Sequence, residues 1–379
     1  MFTIAADATF VTRVWRKGIG PALALLRDGM LIDITSRETP TMRDLLERSD
    51  VLAYLARQQG QVIGPLDAVL AASVEPAAET THLLSPADLQ AIKACGVTFA
   101  RSMIERVIEE RAAGNAAEAA AIRSRIAGAI GASLRNLIPG SPEAARAKTL
   151  LQAEGLWSQY LEVGIGPDAE VFTKAAPMAS VGFGAAVGLH PISRWNNPEP
   201  EVVLAVNSSG IIVGASLGND VNLRDVEGRS ALLLGKAKDN NAAASIGPFI
   251  RLFDPGFGLA DLRKLDLDLT VTGLDGFTLQ ARSSMAEISR DPADLVAQTI
   301  GRHHQYPDGL MLYCGTMFAP VQDRDGPGQG FTHHLGDLVT IATPALGALT
   351  NTVRLATECP EWTFGTAALM RNLAARGLL

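Results

Sequence analysis

The chain has 379 residues, and its 33 Lys and Arg against 40 Asp and Glu give a formal net charge of -7. Hydrophobic residues make up 47% of the chain and charged residues 19%, a balance that excludes a disordered protein. The acidic excess and the lack of a basic stripe argue against a nucleic-acid partner. The length predicts about two domains, each with apolar surface to bury.

Cysteine usage and hydropathy indicate the compartment. The three cysteines, Cys95, Cys314 and Cys359, are far apart and odd in number, so the sequence predicts neither a disulfide framework nor a cysteine zinc site. The longest uncharged run, residues 175–193, is broken by two prolines and three glycines and predicts no membrane helix. We therefore expect a cytoplasmic protein without a membrane partner.

Residues 1–84 predict a small N-terminal domain. Weak alternation of polarity over the first 35 residues indicates short strands around the Gly-Ile-Gly turn at 18–20. Thr39-Pro40 is a helix-start signal. The stretch 56–84 is rich in Pro, Ala and Thr and indicates a loose segment that ends at the domain boundary.

Residues 85–379 predict a larger domain that begins with a helical part. Ser85-Pro86 and Ser141-Pro142 are further helix-start signals. Between them, the spacing of apolar residues predicts helices over 99–113 and 116–134.

After Tyr160 the apolar residues recur at period two, which is typical of strands. Segments 201–206 and 211–217, joined by Asn-Ser-Ser-Gly, predict a β-hairpin, and 265–282 predicts a second one. Asp291-Pro292 predicts a helix start. Further strands are predicted over 310–316, 338–343 and 349–353. The fold class that follows is α+β, since strands and helices are segregated along the chain.

Three carboxylates are predicted to meet at one end of the first hairpin. Glu199 and Glu201 are two apart, so their side chains project from the same face of a strand. The return strand ends at Asp220, which the hairpin brings back beside them. Three carboxylates without a nearby cysteine or paired histidine favour a hard divalent ion, Mg²⁺ or Mn²⁺. The alternative is a solvated polar edge, which Pro200 would suit because it cannot donate to a ladder.

At this point the sequence resembles the fumarylacetoacetate hydrolase superfamily, from about residue 89 to residue 353. The motifs that carry the resemblance occur in order along the chain. They are Phe172-Thr173-Lys174, Glu199-Pro200-Glu201 before a hairpin, Asp220, Ala237-Lys238-Asp239, Gly247-Pro248-Phe249, Gly315-Thr316-Met317 and Gly336-Asp337. The resemblance implies a mixed β-roll with surrounding helices and a homodimer or homotetramer.

The resemblance also implies roles for single residues. Glu199, Glu201 and Asp220 would hold the metal, and Lys238 would act beside it, with Lys236 as the alternative if the register slips by two. Thr316 would bind the substrate carboxylate. Lys174 either binds substrate or is a surface lysine on a strand.

One departure from the family bears on the reaction. Family hydrolases carry a His and a Glu that activate water; here the matching stretch, 96–105, has Ser102 in place of the His and keeps the Glu as Glu105. Without the imidazole, general-base activation of water is in doubt. We therefore assign Glu105 as the acid or base of another reaction, with Ser102 and Arg224 in substrate binding; Arg224 could instead form an ion pair on a helical turn.

Several longer stretches resemble the branch of the family that dehydrates 2-keto-3-deoxy sugar acids. They include GVTFARSMIERVIEER, WNNPEPEV and GNDVNLRDVEGRSALLL. The resemblance implies conversion of a 2-keto-3-deoxy-pentonate, 2-keto-3-deoxy-D-xylonate in particular, to 2,5-dioxopentanoate. Two other functions remain open at this stage: a C–C bond hydrolase of a 2,4-diketo sugar acid, and a sugar-acid binding protein without activity.

Overall fold

The computed structural model describes residues 8–99, 103, 107–108, 111–112, 115, 118, 137–153, 155, 157–318 and 321–379. The helices predicted over 99–113 and 116–134 lie largely outside these residues, and Ser102 and Glu105 lie outside them entirely. No helix in the described ranges is long and apolar enough to cross a membrane.

Eighteen strands are found in the described part of the chain. They are β1 (Phe10–Arg16), β2 (Gly20–Arg27), β3 (Met30–Asp33), β4 (Gln61–Pro65), β5 (His82–Leu84), β6 (Ala91–Gly96), β7 (Glu170–Ala175), β8 (Ala186–Leu189), β9 (Asn196–Asn197), β10 (Pro200–Val206), β11 (Ile212–Asp220), β12 (Asn222–Leu223), β13 (Ala244–Leu252), β14 (Asp266–Thr272), β15 (Thr278–Ser284), β16 (Leu310–Tyr313), β17 (Leu338–Thr343) and β18 (Gly347–Leu355).

The helices of the described ranges are mostly short. They are α1 (Met42–Leu46), α2 (Val51–Arg57), α3 (Leu66–Ala72), α4 (Pro142–Ala153), α5 (Gln159–Ile165), α6 (Arg224–Glu227), α7 (Leu234–Lys238), α8 (Leu259–Leu262), α9 (Pro292–Thr299) and α10 (Thr366–Ala375). Single 3₁₀ turns lie at Ala231–Leu233 and Met285–Glu287. The predicted α+β class is confirmed.

The strands form two large sheets. Within the described residues, the first has eleven strands in the order β4-β3-β2-β1-β13-β11-β10-β16-β6-β7, with β5 beside β1, and the second has five in the order β15-β14-β17-β18-β8. Most neighbours are antiparallel, but β16 pairs with β6 and β18 with β8 in parallel. A two-residue ribbon joins β9 to β12.

The main core lies between the two sheets. Alternate residues of β10 point to opposite faces, and Val202 and Leu204 join a cluster that includes Val271 and Ile341 of the second sheet. On the other face, Val203 and Ala205 of β10 join a second cluster. It also contains Met42, Leu45, Tyr54 and Leu55 from helices α1 and α2. The continuous apolar run at residues 202–206 is therefore that of a strand buried on both faces, with β11 on one side of it in the sheet and β16 on the other.

The N-terminal strands continue the sheet that carries the site. Strand β1 pairs with β13 at Phe10↔Arg251 and Val11↔Ile250. The two predicted domains thus share one sheet, joined where β1 pairs with β13. The domain boundary near residue 84 stays a prediction.

Three local predictions differ from the structure. The first helix begins after Thr41 rather than Thr39, because Thr41 and Asp44 form a reciprocal capping box. The segment 56–84, predicted to be loose, contains β4, α3 and β5. No helix follows Ser85-Pro86; the chain instead enters β6, whose partner β16 lies more than 200 residues further on, and such distant pairing leaves no local signal.

Candidate functional site

The hairpin of β10 and β11 brings the three predicted carboxylates together. Its register pairs Pro200 with Asn219 and Glu201 with Gly218, and the backbone N–H of Asp220 donates to the carbonyl of Glu199 at 3.1 Å. Glu199, Glu201 and Asp220 each offer a carboxylate oxygen within 4.8 Å of the other two. The predicted hairpin and the predicted convergence of the three side chains are confirmed.

All three carboxylates are buried. Relative exposure is 5% for Glu199, 2% for Glu201 and 1% for Asp220. Glu201 lies on β10, which runs inside the sheet between β11 and β16, and Glu199 directly precedes that strand. The interpretation as a solvated polar edge is therefore wrong: the neighbours of β10 come from distant parts of the chain and cover it on both sides.

Two buried lysines contact these carboxylates. Lys238 Nζ lies 2.5 Å from Glu199 Oε2 and 3.1 Å from Asp220 Oδ2. Lys174 Nζ lies 2.8 Å from Asp220 Oδ1 and donates to the carbonyls of Val221 and Lys238 at 3.2 and 2.6 Å. Lys174 is thus a buried lysine, and the alternative of a surface lysine is wrong.

The register of the lysine motif follows from burial. Lys238, at the end of α7, is 2% exposed, whereas Lys236 one half-turn earlier is exposed. Because the two side chains point in different directions on the short helix, only Lys238 reaches the carboxylates. The contacts of Lys238 support the alignment of Ala237-Lys238-Asp239 with the lysine motif, and Lys236 lies outside the site.

The site carries more negative than positive charge. Burial, followed by the neighbouring Asp220 and Glu199, raises the pKa of Glu201 well above its usual value. Burial would also raise the pKa of Asp220, but the charges of Lys174 and Lys238 outweigh it and lower that pKa. For Lys174, burial lowers the pKa, and the charge of Asp220 opposes this shift. Among the described residues, these three carboxylates contact two ammonium groups, and such a buried negative surplus fits a divalent cation.

A turn from the far end of the chain completes the cleft. The backbone N–H of Gly315 donates to Glu201 Oε2 at 2.6 Å, and the next residue, Thr316, lines the cleft beside it. The wall opposite is formed by β6 and β7, which contribute Val97 after the strand end and Phe172. The predicted Thr316 is therefore placed next to the carboxylates, at 7% exposure.

Residues 196–354 match the C-terminal family of fumarylacetoacetate hydrolases. This segment contains the three carboxylates, Lys238 and Thr316. The resemblance read from the motif order is confirmed over this range.

Two curated relatives each align with about half of this chain. A probable 2-keto-3-deoxyxylonate dehydratase of Haloferax volcanii is 31% identical over 194 residues, which are 51% of this chain and 63% of the relative. A 2-dehydro-3-deoxy-D-arabinonate dehydratase of Saccharolobus solfataricus is 28% identical over 185 residues, 49% of this chain and 58% of the relative. The matched part of the chain thus spans less than two thirds of either relative.

Solved structures of the fumarylacetoacetate hydrolase type share the fold. A 2-keto-3-deoxy-D-arabinonate dehydratase complexed with magnesium and 2,5-dioxopentanoate has a TM-score of 0.62 at 19% identity, over 91% of this chain and 99% of that one. A fumarylacetoacetate hydrolase from Exiguobacterium antarcticum has a TM-score of 0.54 at 15% identity, over 92% and 100%. The expected mixed fold of the family is confirmed.

The carboxylate cleft contains two further carboxylates, and neither is among the site residues predicted from the sequence. Glu170, the first residue of β7, and the buried Glu227 of α6 both line it. Glu170 lies directly opposite Gly96, and its carboxylate occupies the space where a side chain on Gly96 would begin. Glu170 is two residues before Phe172, so the period of a strand could have placed both on the cleft face.

The remaining predicted residues fall into two groups. Arg224 opens α6 and is 1% exposed, with its guanidinium 4.0 Å from the ring centre of Trp195; its role toward substrate stays a prediction. Ser102 and Glu105 lie outside the described residues, so their assigned roles stay predictions as well.

Proposed function

We propose that the chain is a divalent-metal-dependent hydro-lyase that removes water from a 2-keto-3-deoxy-pentonate to form 2,5-dioxopentanoate. The observation that carries this proposal is the buried cleft in which Glu199, Glu201 and Asp220 face Lys238 and Lys174. The names of the two curated relatives support the substrate class.

The two relatives' names point to the same substrate skeleton. D-xylonate and D-arabinonate differ only at C2 and C3, and a keto group at C2 with a deoxy C3 removes both stereocentres. The one remaining stereocentre, C4, has the D configuration in both. We therefore propose 2-keto-3-deoxy-D-xylonate as substrate, which is the same molecule as its D-arabinonate counterpart, and the meaningful comparison is D against L at C4.

The donor set fits Mg²⁺, with Mn²⁺ as a second choice, since carboxylate oxygens suit both ions. Glu199, Glu201 and Asp220 would hold the ion, and their negative surplus over the two lysines is the feature it would neutralise. When bound, it would polarise the 2-oxo group and stabilise negative charge on that oxygen.

The residues around the carboxylates have complementary tasks. Dehydration removes a proton from C3 and the hydroxyl from C4, and later proton shifts place the aldehyde at C5. Lys238 is buried beside Glu199 and Asp220. Its charged ammonium form would stabilise developing negative charge, and its neutral amine form would accept a proton. Glu170, which also lines the cleft, would protonate the leaving hydroxyl in its carboxylic acid form. Thr316 would hold the substrate carboxylate.

The test is turnover with defined stereoisomers. Purified protein with Mg²⁺ is incubated separately with the D and the L form of 2-keto-3-deoxy-pentonate, and products are identified by NMR. We expect 2,5-dioxopentanoate from the D form, loss of the product after EDTA treatment, and recovery on adding Mg²⁺. Formation of pyruvate and glycolaldehyde would show C–C cleavage instead and would overturn the proposal, as would binding without any product.

A further inference from the structure

Thr98 lies at a junction of three chain segments. It follows β6 by two residues and is fully buried. Its hydroxyl donates to the carbonyl of Cys314 at 2.6 Å. Its own carbonyl accepts from the N–H of Ser289 at 2.8 Å and from the hydroxyl of Ser289 at 2.7 Å. Thr98 therefore ties the end of β6 to the turn after β16 and to the segment before α9.

The turn that Thr98 contacts is the one that contacts Glu201. Cys314 accepts the Thr98 hydroxyl, and the next residue, Gly315, donates its N–H to Glu201 Oε2 at 2.6 Å. Gly315 has a φ of +86°, and a Cβ added to it would lie 2.1 Å from Thr98 Oγ1. The hydroxyl and the turn are thus in direct contact, and the glycine is required both by the left-handed backbone and by Thr98.

The segment that presents Thr98 has an unusual backbone. Val97 has a φ of +56°, a left-handed conformation that β-branched residues rarely adopt. Such a residue persists only when its surroundings hold it in place. Val97 is 5% exposed, and its Cγ1 packs over Gly164. The position of the Thr98 hydroxyl is therefore held from both sides, by the packing of Val97 and by Ser289.

We propose that Thr98 is a positioning residue for the metal centre. It holds the 314–316 turn so that the Gly315 N–H fixes Glu201 Oε2, and the other oxygen of Glu201 would then be available to hold the ion. This inference rests on the proposed function in one respect, the assignment of Glu201 as a metal ligand. Groups that orient a ligand in this way govern metal affinity without touching the metal.

The test measures metal binding without substrate. Thr98→Val keeps the shape of the side chain and removes the hydroxyl, whereas Thr98→Ser keeps the hydroxyl. Affinity for Mg²⁺ is measured by titration calorimetry, and Mn²⁺ binding by electron paramagnetic resonance. We expect Thr98→Val to weaken Mg²⁺ binding about tenfold, the lower end for loss of an outer partner, and Thr98→Ser to stay within about twofold of the unchanged protein.

Thr12 provides a matched control. It is fully buried, and its hydroxyl donates to the carbonyl of Pro248 at 2.7 Å. Strands β13 and β11 separate β1 from the strand of Glu201. Thr12→Val therefore removes an equivalent hydrogen bond far from the site. We expect it to lower the melting temperature about as much as Thr98→Val while leaving Mg²⁺ affinity unchanged.

Each outcome has a defined meaning. Unchanged Mg²⁺ affinity in Thr98→Val, or equal weakening in Thr12→Val, would overturn the positioning role, and so would a failure of the unchanged protein to bind either ion. Binding of Mg²⁺ without turnover would overturn the proposed function alone. If Thr98→Val does not fold, Ser289→Ala replaces it as the test, because it removes one donor to the Thr98 carbonyl. We expect about threefold weaker Mg²⁺ binding in this variant. Unchanged Mg²⁺ binding would overturn the proposal.

Discussion

Two ionic clusters of this protein differ in how their carboxylates are satisfied. The carboxylate site has three acidic groups against two lysines. The second, which we call the loop cluster, consists of Arg324, Asp337, His333 and Asp275 and fastens the segment 321–337 to the five-stranded sheet. Each cluster contains a buried carboxylate, so the comparison shows how a carboxylate that protein groups satisfy differs from one that lies among other negative charges.

In the loop cluster every acidic charge is matched by donors. Arg324 donates to both oxygens of Asp337, at 2.7 and 2.8 Å. His333 Nδ1 lies 3.0 Å from Asp337 Oδ2, and the N–H of His334 donates to the same oxygen at 3.0 Å. Arg324 also pairs with Asp275 at 3.1 Å. A carboxylate satisfied in this way is complete without an added ion.

The pKa values of the central carboxylates shift in opposite directions in the two clusters. Burial would raise the pKa of Asp337, but hydrogen bonds from His333 and Arg324 lower it to about 2. In the carboxylate site, burial and neighbouring negative charges raise the pKa of Glu201. A surplus of buried negative charge costs stability unless a cation is present. The predictions below test this contrast in order of expected effect.

The largest effect is expected for Glu201→Gln. The substitution keeps the shape of the side chain but removes one ligand charge, so Mg²⁺-dependent turnover should fall about a thousandfold or more. The apo protein should unfold at an equal or higher denaturant concentration, because a repulsive charge is lost. The exposed Glu287→Gln serves as control and should be active; full activity of Glu201→Gln would sink the metal assignment.

Next in size is the loss of Lys238. Lys238→Met should reduce turnover about a hundredfold or more and destabilise the apo protein, because Glu199 and Asp220 lose a buried partner. Lys236→Met, two residues earlier and exposed, is the matched control for charge and helix propensity. Steady-state rates and urea unfolding measure both effects; equal rates in the two variants would contradict the register of the site.

In the loop cluster, Asp337→Asn should act on stability alone. It leaves the Arg324 guanidinium without its buried carboxylate, so we expect a loss of about 3 to 5 kcal/mol in the free energy of unfolding. Asp275→Asn, whose side chain is 42% exposed, should lose less than about 1 kcal/mol. Both variants should bind Mg²⁺ normally while folded, and a weakened metal affinity would show that the clusters are not independent.

The smallest effect is a pH dependence of stability from the loop cluster. Burial, together with the charges of Arg324 and His334, lowers the pKa of His333, and the hydrogen bond with Asp337 opposes this. Below a pH of about 6.5 the unfolded chain binds a proton on His333 that the folded protein does not bind, so stability falls. Below 3.8 the depressed pKa of Asp337 adds to the loss.

Urea unfolding at pH 7.5, 6.5 and 5.5 measures this slope. One proton contributes at most about 1.4 kcal/mol per pH unit. His333→Gln removes the titrating group, so the variant should lose less stability between pH 6.5 and 5.5 than the unchanged protein. An identical slope in the two proteins would show that His333 is not its source.

The sequence predicted the hairpin and its carboxylates because both depend on local patterns. Short apolar runs on either side of a turn indicate β10 and β11, and their register follows from that turn, which places Glu201 and Asp220 at one end. Helix starts were predicted less well: Asp291 caps α9 as expected, but Ser85-Pro86 begins no helix because β16 offers the following residues a partner. That choice depends on a strand more than 200 residues away.

The sequence alone indicated the three carboxylates, the lysine motif and the class of fold, since these are carried by spacing and order along the chain. Only the tertiary structure decided that the carboxylates are buried, that Lys174 joins them, that Glu170 and Glu227 line the cleft, and that Thr98 contacts the turn holding Glu201. The physical reason is that burial and charge balance are sums over all neighbours, and most of those neighbours come from segments distant in sequence.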